Sequence, residues 1–375
     1  MVSPLRFPDP EAPIRERRPL DAGPAEVRAI ATGDGVEIRL TRFRGGEKGP
    51  LLVSHGLGVS SEIFTTDTTR PNLLEYFYAA GYDVWLLDYR SSVALPAARM
   101  PYDADAIARF DYPAAVAEIR AATGAESVQA VVHCFGSTTF FMAMLAGLEG
   151  VRSVVASQIA THMLVPRLTR LKAQLRIPSA LERIGVDSLT ADAGDQEHAL
   201  ERLWNAALAH QPIEGEERCD SAVCHRITFL YGLLYEHDRL SEATHEALDE
   251  MFGVAGIRAL AHLALMVRRG HLVAGDGEDA YLPHAERLRI PIRFIHGAEN
   301  ACYLPRSTEL SMSFLSDRNG SDLYSRKEIP GYGHIDCIFG EHAARDVYPL
   351  MLEHLEETAH AGDRPSPDSA TTLTR

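Results

Sequence analysis

Short runs rich in Val, Ile and Leu, bounded by Gly, Asp or Pro, recur at Val36–Phe43, Leu51–His55, Tyr82–Tyr89, Val128–Cys134 and Ser153–Ile159. Apolar runs of that length read as strands covered on both faces. Between them, Pro71–Ala80, Ala104–Ala122 and Thr138–Leu148 space their apolar residues as helices do. Pro71 suits a first helical turn and Gly81 a C-terminal cap. Strand alternating with helix predicts an α/β chain with a mostly parallel sheet. From Thr161 to Arg289 the alternation stops, and helical periodicity continues without a convincing strand, over a stretch far longer than an ordinary loop. Strand character returns at Ile290–His296 and Leu323–Ile329, and Val347, Leu350, Met351 and Leu355 share one face of a closing helix. The expected organisation is a core of residues 25–160 and 290–360, with residues 161–289 inserted as a helical cap between the sixth and seventh strands. Residues 1–24 and 361–375, polar and carrying several prolines, are expected to be flexible tails.

Charge narrows the function more than it narrows the fold. Asp and Glu number 52 against 37 Lys and Arg, a formal net charge of −15, which repels phosphate backbones and anionic headgroups. Nucleic-acid binding is therefore not expected. Five cysteines, an odd number thinly spread, make no disulfide framework and point to a reducing compartment. Met1–Pro24 lacks the apolar run of a secretory signal, and nothing approaches the ~18 apolar residues of a membrane span. The expectation is a soluble, cytoplasmic protein, with nothing to indicate its oligomeric state.

Candidate chemistry begins at Val131-Val132-His133-Cys134-Phe135-Gly136-Ser137. A strand ending in small-x-nucleophile-x-Gly and running into a helix is a nucleophile elbow, a sharp turn that lifts one side chain above the sheet. Here that side chain is the thiol of Cys134. Cysteine serves as well as serine, because a helix N-terminus and a nearby His both favour the thiolate. Val132 departs from the pattern, since Gly usually stands two residues before the nucleophile. The competing reading is a buried structural cysteine at a strand end.

A partner His should follow the last strand, and Gly331-Tyr332-Gly333-His334-Ile335-Asp336 supplies His334 just before the final helix. The acid of a triad belongs after Ile290–His296, in Gly297-Ala298-Glu299-Asn300-Ala301-Cys302, and the expected position holds Asn300. A serine enzyme needs a carboxylate there to stabilise the imidazolium. If Cys134 and His334 rest as thiolate and imidazolium, the thiolate balances the charge and Asn300 need only orient the ring. Glu299 competes for the third place, because a one-residue shift of the loop would present its carboxylate instead. Asp336 reads as a cap for the last helix. Oxyanion donors are expected from the backbone N–H of Phe135, after the nucleophile, and of Leu57 in His55-Gly56-Leu57-Gly58.

Gly33-Asp34-Gly35-Val36, His55-Gly56-Leu57, Gly81-Tyr82-Asp83-Val84-Trp85-Leu86, and His334-Ile335-Asp336 with Gly340 and Val347-Tyr348 resemble the α/β-hydrolases of the acid-lipase type. The likeness continues through Cys224–Gly270 and so covers most of the chain. The HCFGS elbow and the GAENACYLP loop are similar to those of bacterial hydrolase domains found fused to cholesterol-oxidase-like flavoenzymes. No dinucleotide fingerprint accompanies them here, so no cofactor is expected. The resemblance implies an α/β-hydrolase fold, a lid over an acyl pocket, and ester hydrolysis as the family's usual activity. Acid lipases carry Ser and Asp where this chain has Cys134 and Asn300. Similar elbows with Cys occur in dienelactone hydrolases and polyhydroxyalkanoate synthases, so hydrolysis and acyl transfer are both open.

The insertion bears on the substrate. Phe229, Leu230, Leu233, Leu234, Leu260 and Leu263 recur at helical spacing, which by itself means packing between helices. Together, a helical cap over an α/β sheet makes an apolar pocket at the carboxyl ends of the strands, suited to an acyl chain, free or carrier-bound. Cys219, Asp220, Cys224 and His225 match no established zinc spacing, so no metal is expected. The chemistry expected is attack by Cys134 on an ester, thioester or lactone carbonyl, giving an acyl-thioester that water, an amine or an alcohol resolves. A non-catalytic lipid-binding protein with a decayed triad is the remaining reading.

Overall fold

The computed structural model describes residues 5–8, 15–191 and 219–360. Eight strands form one sheet: β1 (Ala25–Ala31), β2 (Glu37–Phe43), β3 (Pro50–Ser54), β4 (Asp83–Asp88), β5 (Val128–His133), β6 (Val151–Ser157), and two after the insertion. The insertion itself contributes β7 (Ser188–Thr190) and β8 (Val254–Gly256), and the large sheet closes with β9 (Ile292–Gly297) and β10 (Tyr324–Ile329). The sheet order is β1-β2-β4-β3-β5-β6-β9-β10. The pairs β1–β2 and β2–β4 are antiparallel, and all the other pairs in this sheet are parallel. The central strands β3, β4 and β5 are buried along their whole length, which is why their sequences are apolar without alternation.

Several expectations are corrected. The edge strand β1 has no apolar run to reveal it: its residues alternate between exposed and half-buried, and Val27 is 64% exposed. Pro71 lies outside its helix. The helix is Leu73–Ala79, and Asn72 caps it in a capping box with Glu75. The segment 104–122 is interrupted by a π turn, Ile107–Asp111, whose Asp111 takes the buried Arg90 guanidinium at 2.6 Å. The insertion is not purely helical, because β7 and β8 pair antiparallel; three-residue strands are too short to show a period. Within the supposed N-terminal tail, Arg15 binds Asp67 at 2.7 Å and Arg18 binds Glu75 at 2.8 Å, so this part is pinned to the core. The tail 361–375, residues 1–4 and 9–14, and the stretch 192–218 of the expected cap lie outside the described residues.

Among the described residues no helix is long and apolar enough to cross a membrane. The cap helices Arg167–Gln174, Ile177–Arg183, Ala222–Tyr231 and Ile257–Arg269 contribute to the roof of a cavity at the carboxyl ends of the parallel strands.

Candidate active site

Strand β5 ends at His133, and Cys134 turns the chain into the helix Phe135–Leu145 with φ 56° and ψ −129°. A non-glycine residue with positive φ is strained, and the surroundings hold it there. Ser137 Oγ donates to the Ile159 carbonyl at 2.5 Å, and the Tyr112 hydroxyl donates to the Gly136 carbonyl at 2.8 Å. A Cβ on Gly136 would lie 2.1 Å from the His55 carbonyl oxygen, so glycine lets the helix meet the loop after β3. Val132 is tolerated because its register neighbours are the small residues Ser54 and Ala156.

The loop after β3 is fixed from below. Tyr89 donates its hydroxyl hydrogen to the His55 and Gly56 carbonyls, at 3.0 and 3.2 Å, and buried Asp88 accepts from the Ser61 amide at 2.8 Å. The loop brings the Leu57 N–H, with that of Phe135, into hydrogen bonds with Cys134 Sγ. Both expected oxyanion donors therefore converge on one atom. Even so, burial pushes the Cys134 thiol up to about 12, outweighing the two amides.

His334 comes from the loop after β10 and is buried, with donor atoms of Cys134 and His133 within 4.8 Å. The cap holds its backbone: the Leu234 carbonyl accepts from the amides of His334 and Ile335 at 3.0 and 2.7 Å. Asn300, after β9, lies against the ring, its Nδ2 3.0 Å from His334 Nδ1. The exposed Glu299 is turned away, its amide on the Tyr332 carbonyl. Asp336 does not cap the last helix, Tyr348–Glu357. It folds back under its own loop, accepting from the amides of Gly333 at 2.8 Å and Glu236 at 3.3 Å.

The side-chain amide of Asn300 has only one orientation. Its Oδ1 accepts from the backbone amides of Cys302 and Tyr303, both at 2.9 Å, and a flip would set Nδ2 against those two donors. Gln158 Oε1 accepts from the Gly297 amide and from Asn300 Nδ2, each at 3.0 Å. Asn300 therefore donates to His334 Nδ1, which leaves the ring proton of the neutral imidazole on Nε2. Burial, then His133 and His296, hold His334 well below the usual histidine range. This arrangement opposes the thiolate–imidazolium pair expected from the sequence. Burial disfavours both charged forms, and the imidazolium would have to place an N–H against the Asn300 N–H.

Two neighbours escaped the sequence reading. His133 stands beside Cys134, hydrogen-bonded through Nδ1 to Ser157 Oγ at 3.1 Å and pushed down to about 3 by burial. It was visible only as the variable residue of the elbow. Gln158, at φ 78°, anchors Asn300, and nothing in its local sequence marks it.

Cys134, Leu57, Phe135 and His334 line one end of a mostly apolar cavity of about 180 Å³. Phe229, Leu230, Leu260 and Leu263 from the cap line much of the rest, and Lys172 is the one lysine or arginine among the lining residues. Elsewhere, the thiols of Cys219 and Cys224 do not share a donor cluster with the side chains of Asp220 and His225. Asp220 pairs with Arg6, and His225 Nε2 donates to the Cys219 carbonyl. The thiols meet His237 and His245 instead. Asp103, Asp105 and His262 also cluster, but both His262 nitrogens are engaged, by the Ala104 amide and the Val273 carbonyl.

No family model matches the chain. Lipase lipl-1 of Caenorhabditis elegans is 22% identical over 359 residues, 88% of this chain and 88% of that one. Lipase member K of Mus musculus is 22% identical over 368 residues, covering 89% and 88%. Among solved structures, a lipase in an open form superposes with a TM-score of 0.56 at 13% identity, covering 89% of this chain and 99% of that one. The alpha/beta hydrolase GrgF from Penicillium sp. sh18 gives 0.55 at 15%, covering 90% and 99%. The chain thus has the α/β-hydrolase fold.

Proposed function

We propose that this chain takes an apolar acyl group from a carboxylic ester or thioester onto Cys134 and passes the acyl-thioester to water, as a hydrolase. The observation that carries this reading is the meeting of three things on Cys134 Sγ: a helix N-terminus, the N–H groups of Phe135 and Leu57, and an apolar cavity. The lipase names of its distant relatives support ester chemistry. Cys134 gives its thiol proton to water, Sγ attacks the carbonyl carbon and a C–S bond forms. The carbonyl oxygen, now anionic, takes the two amide hydrogens that Sγ held, and collapse expels the donor's alcohol or thiol.

Asn300 favours a thioester donor. An alkoxide must be protonated to leave, and His334 relays that proton poorly while Asn300 opposes N–H on Nδ1. A thiolate is the better leaving group and picks up the proton lost by Cys134 afterwards. The same proton arrangement slows activation of water, and this favours a second reading in which an amine or alcohol accepts the acyl group.

Incubation with an alkyl thioester and a p-nitrophenyl ester, followed by intact-mass spectrometry, tests the proposal. The wild type is expected to gain the acyl mass and Cys134→Ala not to. An adduct that decays in water supports the hydrolase, and one that persists until an amine is added supports the transferase. No adduct from either donor, with unchanged turnover in Cys134→Ala, overturns the nucleophile.

A further inference from the structure

The cap brings together two thiols and two imidazoles that the proposed chemistry does not use. Cys219 precedes the helix Ala222–Tyr231, Cys224 lies in its first turn, His237 is in the turn His237–Arg239, and His245 is in the helix Glu242–Glu246. One donor atom from each lies within 4.8 Å of all the others, and Cys224 Sγ is 3.2 Å from His237 Nε2. A tetrahedral zinc ion with Zn–S of ~2.3 Å and Zn–N of ~2.0 Å sets its ligands roughly 3.3–3.8 Å apart, so the four need only close slightly.

Three details point to a ligand rather than to chance packing. The buried Nε2 atom of the half-buried His245 has no protein partner other than this cluster, where the imidazole lies against the Cys219 thiol. The Tyr235 hydroxyl lies 2.9 Å from Cys224 Sγ, where it can donate to a thiolate. His225 holds the Cys219 carbonyl at 2.8 Å, fixing the backbone that carries the first thiol. Orienting hydrogen bonds of this kind surround metal ligands.

We infer that Cys219, Cys224, His237 and His245 form a closed, structural zinc(II) site in the cap. Two thiolates and two imidazoles in a tetrahedron select zinc over the hard, oxygen-seeking cations, and four protein ligands leave no position for a substrate. Binding releases the thiol protons and changes no oxidation state. The site staples the segment that carries Tyr231 into the cavity and sets the Leu234 carbonyl on the amides of His334 and Ile335. Zinc thereby orders the cap and, through Leu234, the histidine loop.

The untagged full chain, purified without chelator, is expected to hold about one equivalent of zinc by elemental analysis, lost in Cys219→Ser/Cys224→Ser and retained in Cys134→Ala. Replacement by cobalt(II) should give the intense visible bands of a tetrahedral site with near-ultraviolet thiolate charge transfer, and His245→Cys should keep the metal while strengthening that charge transfer. Chelation should lower the melting temperature of the wild type but not of the double variant. If the double variant does not fold, the cobalt spectra of the wild type and His245→Cys decide alone. Wild type that holds no stoichiometric zinc after loading, a weak octahedral cobalt spectrum, or a Cys219–Cys224 disulfide in the intact mass would overturn the site.

Discussion

The amide nitrogen of Asn300 sets the proton arrangement of the candidate site, because two backbone amides claim its oxygen. A carboxylate there would accept from His334 Nδ1–H and free Nε2 to act as a base. Asn300→Asp is therefore expected to speed acylation by p-nitrophenyl oxyesters by roughly 10–100-fold, a partial reversal of the ~10⁴-fold loss that Asp-to-Asn causes in a serine triad. Pre-steady-state release of p-nitrophenol measures this, and an unchanged rate would refute the tautomer argument. Cys134 offers a second check. With its thiol pushed up to about 12, the thiolate fraction should climb about tenfold per pH unit from pH 7 to 10, and alkylation by iodoacetamide should follow. A plateau at neutral pH would instead reveal a thiolate–imidazolium pair.

At the scale of elements, two loops and one helix terminus converge, and their packing tolerates little. Gly136→Ala places a methyl group 2.1 Å from the His55 carbonyl oxygen, where backbone meets backbone. The expected cost is at least the ~1–3 kcal/mol of overpacking, read as a lower denaturation midpoint, with acylation impaired as Leu57 moves. The His334 loop is tied down by Asp336, which burial raises from an ordinary 3.8 to about 7 despite the backbone amides that lower it. Below pH 3.8 folded and unfolded chains both hold this proton and it contributes nothing. Between 3.8 and 7 the unfolded chain loses it first, so the group lowers stability as pH rises, and above 7 the penalty is complete. Asp336→Asn should gain in melting temperature over wild type progressively from pH 4 to 7 and then level off; a difference that is flat with pH would contradict this. The elements themselves were largely legible. Strands β3 to β6 announce themselves as largely buried apolar runs and β2 as an alternation of buried Ile38, Leu40 and Arg42 with less buried positions, whereas β1 at the sheet edge and the three-residue β7 and β8 carry too little pattern to read.

On the scale of the whole molecule, core and cap share the site. The sheet supplies Cys134, Asn300 and His334 at the carboxyl ends of its strands, and the cap supplies the apolar lining. Leu260 faces the cavity from the cap helix Ile257–Arg269, so Leu260→Trp should shorten the acyl chain accepted. The ratio of kcat/KM for short over long donors is expected to rise about tenfold, the usual worth of one or two methylenes in a filled pocket. Equal loss across all chain lengths would show that Leu260 supports the fold and does not measure the acyl group.

The sequence alone determined what depends on local order. Burial of parallel strands writes itself as apolar runs, and an elbow, a glycine-flanked histidine and a loop after β9 keep their places in the alternation. Hence Cys134, His334, Asn300, Leu57 and Phe135 stand out as candidates in the sequence. Tertiary structure decided whatever depends on groups distant along the chain. Ser54 and Ala156 make room for Val132, Gln158 and two backbone amides turn Asn300 toward His334, and a fold within the cap gathers Cys219 and Cys224 with His237 and His245. Side chains on separate elements meet only once the chain has closed, so their hydrogen-bond directions and distances leave no period or spacing to read.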